Sequence, residues 1–252
     1  MIDLHSHILP GLDDGSRTVE DARELARRAA ADGVTAIAAT PHVRADYPTR
    51  PEEMERGVLA LRQDFVEQRI PVEVLHGGEL DLVMLGSLDD DALRRFSLAR
   101  SERYLLLEFP YTGWPSGLEE TVADLGRRGF VSVLAHPERN REAQADPGRL
   151  AEAVRLGALV QLTAASVEGR IGRSSQRAAQ RLLDAGLAHV LASDAHTPEI
   201  REAGLATAVE AVGDERLAAY LTVEAPGAIV AGEALPGAPP PRARRRRRFL
   251  LL

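Results

Sequence analysis

An alternation constrains what this chain can fold into more than any other feature. Seven short apolar runs recur along it, with helix-length segments between them: Ile2–Leu4, Val34–Thr40, Val72–His76, Tyr104–Phe109, Phe130–Ala135, Ala158–Thr163 and His189–Ser193. Most are continuously apolar and rich in β-branched residues, as strands must be when neither face meets water. The segments between them carry a helical period. Val19, Ala22, Leu25, Ala26 and Ala29 share one face of Arg17–Ala31, and Met54, Val58, Leu61 and Phe65 share one face of Pro51–Gln68. Similar segments are expected over residues 117–128, 149–156, 174–185 and 199–212. Strand–helix alternation implies a parallel sheet with right-handed crossovers, so the expected fold class is α/β. Seven units in about 230 residues suggest a barrel close to the eight-stranded β/α type, with an open doubly wound sheet as the alternative. No glycine-rich phosphate loop follows any run, which argues against nucleotide binding of that kind.

Composition narrows the chemistry. The chain has 252 residues, 44% apolar and 27% charged, the balance of a soluble globular protein. Aromatics are only 4%, so the core must be mainly aliphatic. All 31 basic residues are arginine, a bias that base composition produces as readily as function. Six of them fall in residues 242–248, and without those six a chain at −7 becomes a body near −13. So acidic a body is poorly suited to gripping nucleic acid. There is no cysteine, which excludes a thiolate nucleophile, a thiolate zinc site and an iron–sulfur cluster. No basic-then-apolar leader precedes His5 and no apolar run nears the ~20 residues of a membrane span, so a cytoplasmic location is expected. Residues 1–236 are expected to form one domain. Residues 237–252, Pro- and Arg-rich, read as a disordered tail, with weak contact to an anionic membrane surface as its other use, at roughly 1 kcal/mol per arginine.

Against the ends of the runs, residues of metal-ligand type fall in step. The first run delivers His5 and His7, which point the same way from an extended strand, with Asp13 and Asp14 in the following loop. The second leads to His42, the third to Glu79, the fourth to Glu108, the fifth to His136 and Arg139, and the seventh to Asp194 and His196. All lie at the carboxyl ends of the runs, the face where β/α barrels carry their active sites. One such histidine is ordinarily a loop residue, but a lone Glu after three leucines is costly to bury unpaired. Six runs feeding one rim form the pattern of a metal site. His189 opens its run and belongs at the opposite face as a structural residue; His76, three residues before Glu79, is not taken as a ligand.

These residues sit in motifs that resemble the PHP superfamily, within it the metal-dependent bacterial tyrosine-protein phosphatases encoded with capsule and exopolysaccharide genes. The matching stretches are Asp-Leu-His-Ser-His-Ile-Leu-Pro-Gly-Leu-Asp-Asp-Gly (3–15), Ala-Thr-Pro-His (39–42), Gly-Glu-Leu (78–80), Leu-Glu-Phe-Pro-Tyr (107–111), His-Pro-Glu-Arg (136–139), Gln-Leu-Thr-Ala-Ala-Ser (161–166) and Ala-Ser-Asp-Ala-His (192–196). The likeness covers about residues 1–235 and implies a distorted, TIM-like (β/α)7 barrel of the PHP type. It further implies three divalent ions, manganese first, with iron or zinc as alternatives. His5, His7, Glu79 and Asp194 would hold the first; a bridging Glu79 with Glu108 and His136 the second; Asp14, His42 and His196 the third. Arg139 and Arg201 match the family's phosphate-binding arginines. Thr197 and Ala225-Pro226 depart from the family pattern where asparagine is usual, and neither touches a ligand.

Charge arithmetic supports a phosphate substrate. Four carboxylates (Asp14, Glu79, Glu108, Asp194) against three divalent ions leave the site at about +2, suited to a phosphomonoester dianion. The resemblance implies hydrolysis of phosphotyrosine on a bacterial tyrosine kinase that controls polysaccharide export. Other phosphoesterases of the superfamily, a histidinol-phosphate phosphatase or a nuclease, are the alternatives, and a non-catalytic metal-binding regulator is the rival of another kind.

Overall fold

The computed structural model describes residues 1–197 and 204–240. Its strands are β1 (Ile2–Ser6), β2 (Ala36–Ala39), β3 (His42–Arg44), β4 (Tyr47–Pro48), β5 (Glu73–Leu75), β6 (Glu79–Asp81), β7 (Tyr104–Glu108), β8 (Val131–Ala135), β9 (Leu159–Thr163) and β10 (Val190–Ala192). The helices are α1 (Val19–Ala31), α2 (Pro51–Glu67), α3 (Asp90–Phe96), α4 (Leu118–Arg127), α5 (Arg141–Ala145), α6 (Leu150–Arg155), α7 (Ala164–Glu168), α8 (Arg173–Asp184), α9 (Ala206–Val212), α10 (Glu215–Ala219) and α11 (Ala225–Val230). All seven expected runs contain a strand, and the fold is mixed α/β built on parallel sheets.

Local chemistry explains the larger helices. Thr18 and Asp21 cap α1 reciprocally: the Asp21 amide donates to Thr18 Oγ1 (3.1 Å) and the Thr18 amide to Asp21 Oδ2 (3.0 Å). The helix then buries Ala22, Leu25, Ala26 and Ala29. Val19, expected on the same face, is instead exposed, because it follows the cap directly and sits outside the packed turns. In α2, Pro51 opens the helix and Met54, Val58, Leu61 and Phe65 are buried. Each such side chain contributes roughly 1.5–3 kcal/mol on burial.

Among the described residues the strands divide into two sheets, one ordered β1-β2-β5 and one ordered β10-β9-β8-β7-β6-β3-β4. Every pairing is parallel except that of β3 with β4. The sheets meet beside β1, where the Asp194 amide donates to His5 O (2.9 Å) and the His7 amide to Ala195 O (2.7 Å). They are also joined through the chain, since β2 runs on into β3 and β5 into β6. Strands β3, β4 and β6 lie beyond the sequence-based runs, which stop at Thr40 and His76. Pro41 and the Gly77–Gly78 pair break the apolar signal there, and tertiary pairing of His42 with Glu79 and of Glu79 with Leu106 restores it. The two glycines are a packing requirement. A Cβ on Gly78 would lie 2.6 Å from Phe96 Cδ1, and one on Gly77 2.9 Å from Thr40 Cγ2.

Candidate metal centre

The alternation of β1 sends His5 and His7 to one point, both almost wholly buried. His5 Nε2 lies 3.3 Å from His7 Nε2, 3.4 Å from Glu79 Oε2 and 3.3 Å from Asp194 Oδ1. His7 Nε2 lies 3.3 Å from each of the same two carboxylate oxygens. His5 Nε2, His7 Nε2 and Asp194 Oδ1 form a nearly equilateral triangle whose centre is about 2 Å from each corner, the length of a divalent metal bond to nitrogen or oxygen, and Glu79 Oε2 caps the His5–His7 edge from the other side. A single proton on each ring nitrogen cannot satisfy contacts of such equal length, whereas one cation at the centre can.

Two further groupings adjoin this one. Glu79 Oε1 is 2.9 Å from His136 Nε2, and His5, Glu79 and His136 group as possible ligands. Asp14 Oδ1 lies 3.4 Å from His196 Nε2 and 3.5 Å from His42 Nε2, and these three group with His7. Glu108 falls differently from the set implied by resemblance. Its Oε2 is 3.5 Å from His42 Nδ1, which is itself 3.0 Å from Glu79 Oε2, so Glu108 groups with His42 and Glu79 rather than with His136. Arg44, on β3 beside His42, holds the other Glu108 oxygen, its NH1 donating to Oε1 (2.9 Å). Imidazole nitrogen mixed with hard carboxylate oxygen suits manganese, iron or zinc.

The backbone that aims these groups is strained. His136 (φ 40°) and Asp194 (φ 53°) both hold left-handed conformations without being glycine, each just past the end of its strand. Such residues cost on the order of 1–3 kcal/mol and persist where the surrounding structure over-determines them. Here the His136 amide donates to Gln161 O (2.9 Å), and the Asp194 amide to His5 O. Below them the buried Asp3 accepts from the Ser193 amide (3.0 Å) and fastens the start of β1 to the end of β10.

A second layer orients the rings. Asp13 Oδ2 accepts from His7 Nδ1 (2.7 Å) and from the His42 amide (3.0 Å), while Oδ1 accepts from the Gly15 amide (2.9 Å). Gly15 allows that loop to pass beneath His7, since a Cβ there would lie 2.1 Å from His7 O. Gln161 Oε1 lies 2.9 Å from His5 Nδ1, so with Nε2 turned to the cluster as a lone pair, Nδ1 carries the proton that Gln161 accepts. Sequence reasoning assigned no role to Asp13 or Gln161. Gln161 left a signal, a lone amide between Val160 and Leu162 in a buried strand, whereas nothing local separates Asp13 from Asp14.

Arg139 reaches the same centre, donating from NH1 to Asp194 Oδ2 and from NH2 to the Tyr111 hydroxyl (3.0 Å). Its guanidinium lies 4.8 Å from the Tyr111 ring centroid, and that ring stacks on His136. Arg201 lies outside the described residues. His76 joins none of the ligand groupings among the described residues, and His189 Nδ1 accepts from the Val160 amide (3.1 Å), a structural contact at the start of β10.

The electrostatics are those of a site that attracts cations. Burial resists the charge on His42, yet the Glu108 and Glu79 carboxylates beside it lift its pKa to about 9. Burial is likewise outweighed at His5 by Glu79 and Asp194, and at His7 by Asp13, so both are raised. Burial would raise Glu79, but His5, His136 and His42 hold it well below the usual carboxylate range. His136 is lowered by burial and by Arg139.

With this geometry in place, comparison with known proteins identifies the lineage. Residues 1–230 match the family model described as capsular polysaccharide synthesis, CpsB/CapC. The chain is 37% identical over 203 residues to the tyrosine-protein phosphatase YwqE of Bacillus subtilis, covering 80% of this chain and 79% of YwqE. It is 27% identical over 207 residues to the tyrosine-protein phosphatase CpsB of Streptococcus pneumoniae, covering 80% and 85% of the two chains. The crystal structures of YwqE and CpsB, described as metal-dependent tyrosine phosphatases, include a chain that superposes with a TM-score of 0.86 at 33% identity, over 97% of this chain and 100% of that one. The chain therefore belongs to the CpsB/CapC family of capsular polysaccharide synthesis.

Proposed function

We propose that this protein is a metal-dependent protein-tyrosine phosphatase acting on phosphotyrosine in a bacterial tyrosine kinase, and so on capsule or exopolysaccharide synthesis. The observation that carries this reading is the convergence of His5 Nε2 and His7 Nε2 with Glu79 Oε2 and Asp194 Oδ1 at 3.3–3.4 Å, in a chain whose relatives are metal-dependent tyrosine phosphatases. His5, His7, Asp14, His42, Glu79, Glu108, His136, Asp194 and His196 serve as ligands for three divalent ions, manganese first. When bound, such ions polarise phosphate oxygens and bring a water to nucleophilic strength near neutral pH.

The chain's own residues do the rest. Arg139 presents a forked guanidinium beside the ligands and holds phosphate oxygens as charge develops, with Arg201 as its partner in that role. Tyr111 keeps Arg139 in place through its hydroxyl and its ring. The leaving phenolate has a parent pKa near ~10, so it departs with less help from an acid than an alkoxide would. No covalent phosphoenzyme is needed, and none could form on cysteine, which the chain lacks.

The two sheets are halves of one distorted (β/α)7 barrel whose rim carries the ligands. Residues 1–236 make up this domain, and the arginine-rich tail lies outside it. No described helix is long and apolar enough to cross a membrane; we place the protein in the cytoplasm, with weak surface contact left to the tail. The test is turnover of a phosphotyrosyl peptide with metal content measured alongside. Stripping the metal is expected to abolish turnover and re-adding manganese to restore it. Activity that survives complete removal overturns the proposal.

A further inference from the structure

A groove of about 430 Å³ opens beside the metal centre, a size within the range of ligand-binding clefts. Leu82, Val83 and Pro110 line it together with Arg44 and Asp81, and Glu108 is its boundary with the cluster. Glu108 therefore belongs to both: one oxygen faces His42 at 3.5 Å, and the other accepts from Arg44. None of the chemistry described above uses the rest of the groove.

Its charge balance says what fits. Arg44 is already matched, to Glu108 at 2.9 Å and Asp46 at 2.8 Å. Asp81 accepts from the Val83 amide (2.8 Å) and has no cation within ion-pair distance among the described residues. The groove thus combines an apolar wall with one uncompensated carboxylate. Val83 stands 85% exposed at its rim, free to be covered by an incoming chain.

Because Glu108 is shared by the cluster and the groove, a phosphotyrosine whose phosphate reaches the ligands brings its flanking residues beside the groove. An extended polypeptide advances ~3.3 Å per residue, so its next few side chains pass over the groove. We infer that the groove receives an apolar side chain flanking the phosphotyrosine of a polypeptide substrate, with a neighbouring basic residue set against Asp81. This rests on the phosphatase reading and adds to it a sequence preference and two residues, Val83 and Asp81, that determine it without touching the reacting atoms.

Steady-state kinetics of the manganese-loaded protein test it with three substrates: p-nitrophenyl phosphate, a phosphotyrosyl peptide flanked by leucine and arginine, and the same peptide with alanines there. The wild type should show a KM about 10-fold lower for the leucine–arginine peptide than for the alanine peptide. Val83→Ser should remove the part due to leucine through KM, leaving kcat and p-nitrophenyl phosphate turnover unchanged. Asp81→Asn should remove only the part due to arginine, about 2- to 5-fold. Equal KM for the two peptides in the wild type, or peptide kinetics unmoved by Val83→Ser, overturns the groove assignment while p-nitrophenyl phosphate turnover still supports the phosphatase. Absence of turnover on all three substrates removes the phosphatase reading and the groove with it.

Discussion

Asp13 ties two ligand rings together with a single carboxylate, accepting from His7 Nδ1 and from the His42 backbone while its other oxygen anchors Gly15. Outer groups of this kind fix a ring's tautomer and raise its basicity, and losing one costs about 10- to 100-fold in metal affinity. Asp13→Asn keeps the shape and removes the charge. Its affinity for manganese, measured by calorimetric titration, should fall by about that factor while circular dichroism stays unchanged; unchanged affinity would show that Asp13 does not orient the rings. This residue also marks a limit of local reading. Asp13 and Asp14 are chemically identical neighbours, and only the turn at Gly15 sends one beneath His7 and the other toward His42 and His196.

Among the elements, long periodic segments and unbroken apolar runs were legible, even for three-residue strands such as β5 and β10, whereas strands set beside proline or paired glycines were not. Helices α1 and α2 each combine a terminal signal with an apolar stripe, so local and tertiary preferences agree. Strands β3, β4 and β6 have three residues or fewer and are interrupted by Pro41 or preceded by two glycines, so pairing alone defines them. That dependence can be tested at two glycines. Gly78→Ala drives a methyl into Phe96, which is fully buried in α3 and cannot yield. The expected loss is about 1–3 kcal/mol, a fall in Tm of roughly 2–10 °C. Gly126→Ala in α4, where a Cβ meets nothing within 4 Å, should stabilise instead by about 0.5–1 kcal/mol. If both substitutions shift Tm equally, the close packing at β6 is not what requires glycine.

For the molecule as a whole, the cluster sets a pH dependence whose sign is fixed. In metal-free protein, His42 has its pKa raised from 6.5 to about 9. Its contribution is fully present below pH 6.5 and is lost as pH rises toward 9, and the raised His5 and His7 act in the same direction. Burial lowers His76 and His189 to about 4, so their effect is confined below pH 6.5, where acid removes stability. With chelator present, Tm should therefore fall between pH 6.5 and 9. Metal requires those rings unprotonated, so the gap in Tm between loaded and metal-free protein should widen over the same window. A metal-free Tm that stays flat from pH 6.5 to 9 would contradict the assignment of raised values to these histidines.

The sequence by itself determined the α/β class, the seven principal strands, the larger helices and the gathering of ligand-type residues toward one end of those strands, although His5 lies inside β1 and His42 and Glu79 open β3 and β6. All of these follow from periodicity and from neighbours along the chain. Tertiary structure decided which donors share a centre: that Glu108 groups with His42 while Arg44 holds its other oxygen, that Gln161 faces His5, and that His5 and Asp194 meet. It also decided the three short strands and the strained turns at His136 and Asp194. The reason is physical. Hydrophobic period and caps act over a few residues, whereas a set of donors about 3.3 Å apart joins groups as distant in sequence as His5 and Asp194, whose spacing is set only when the sheets come together.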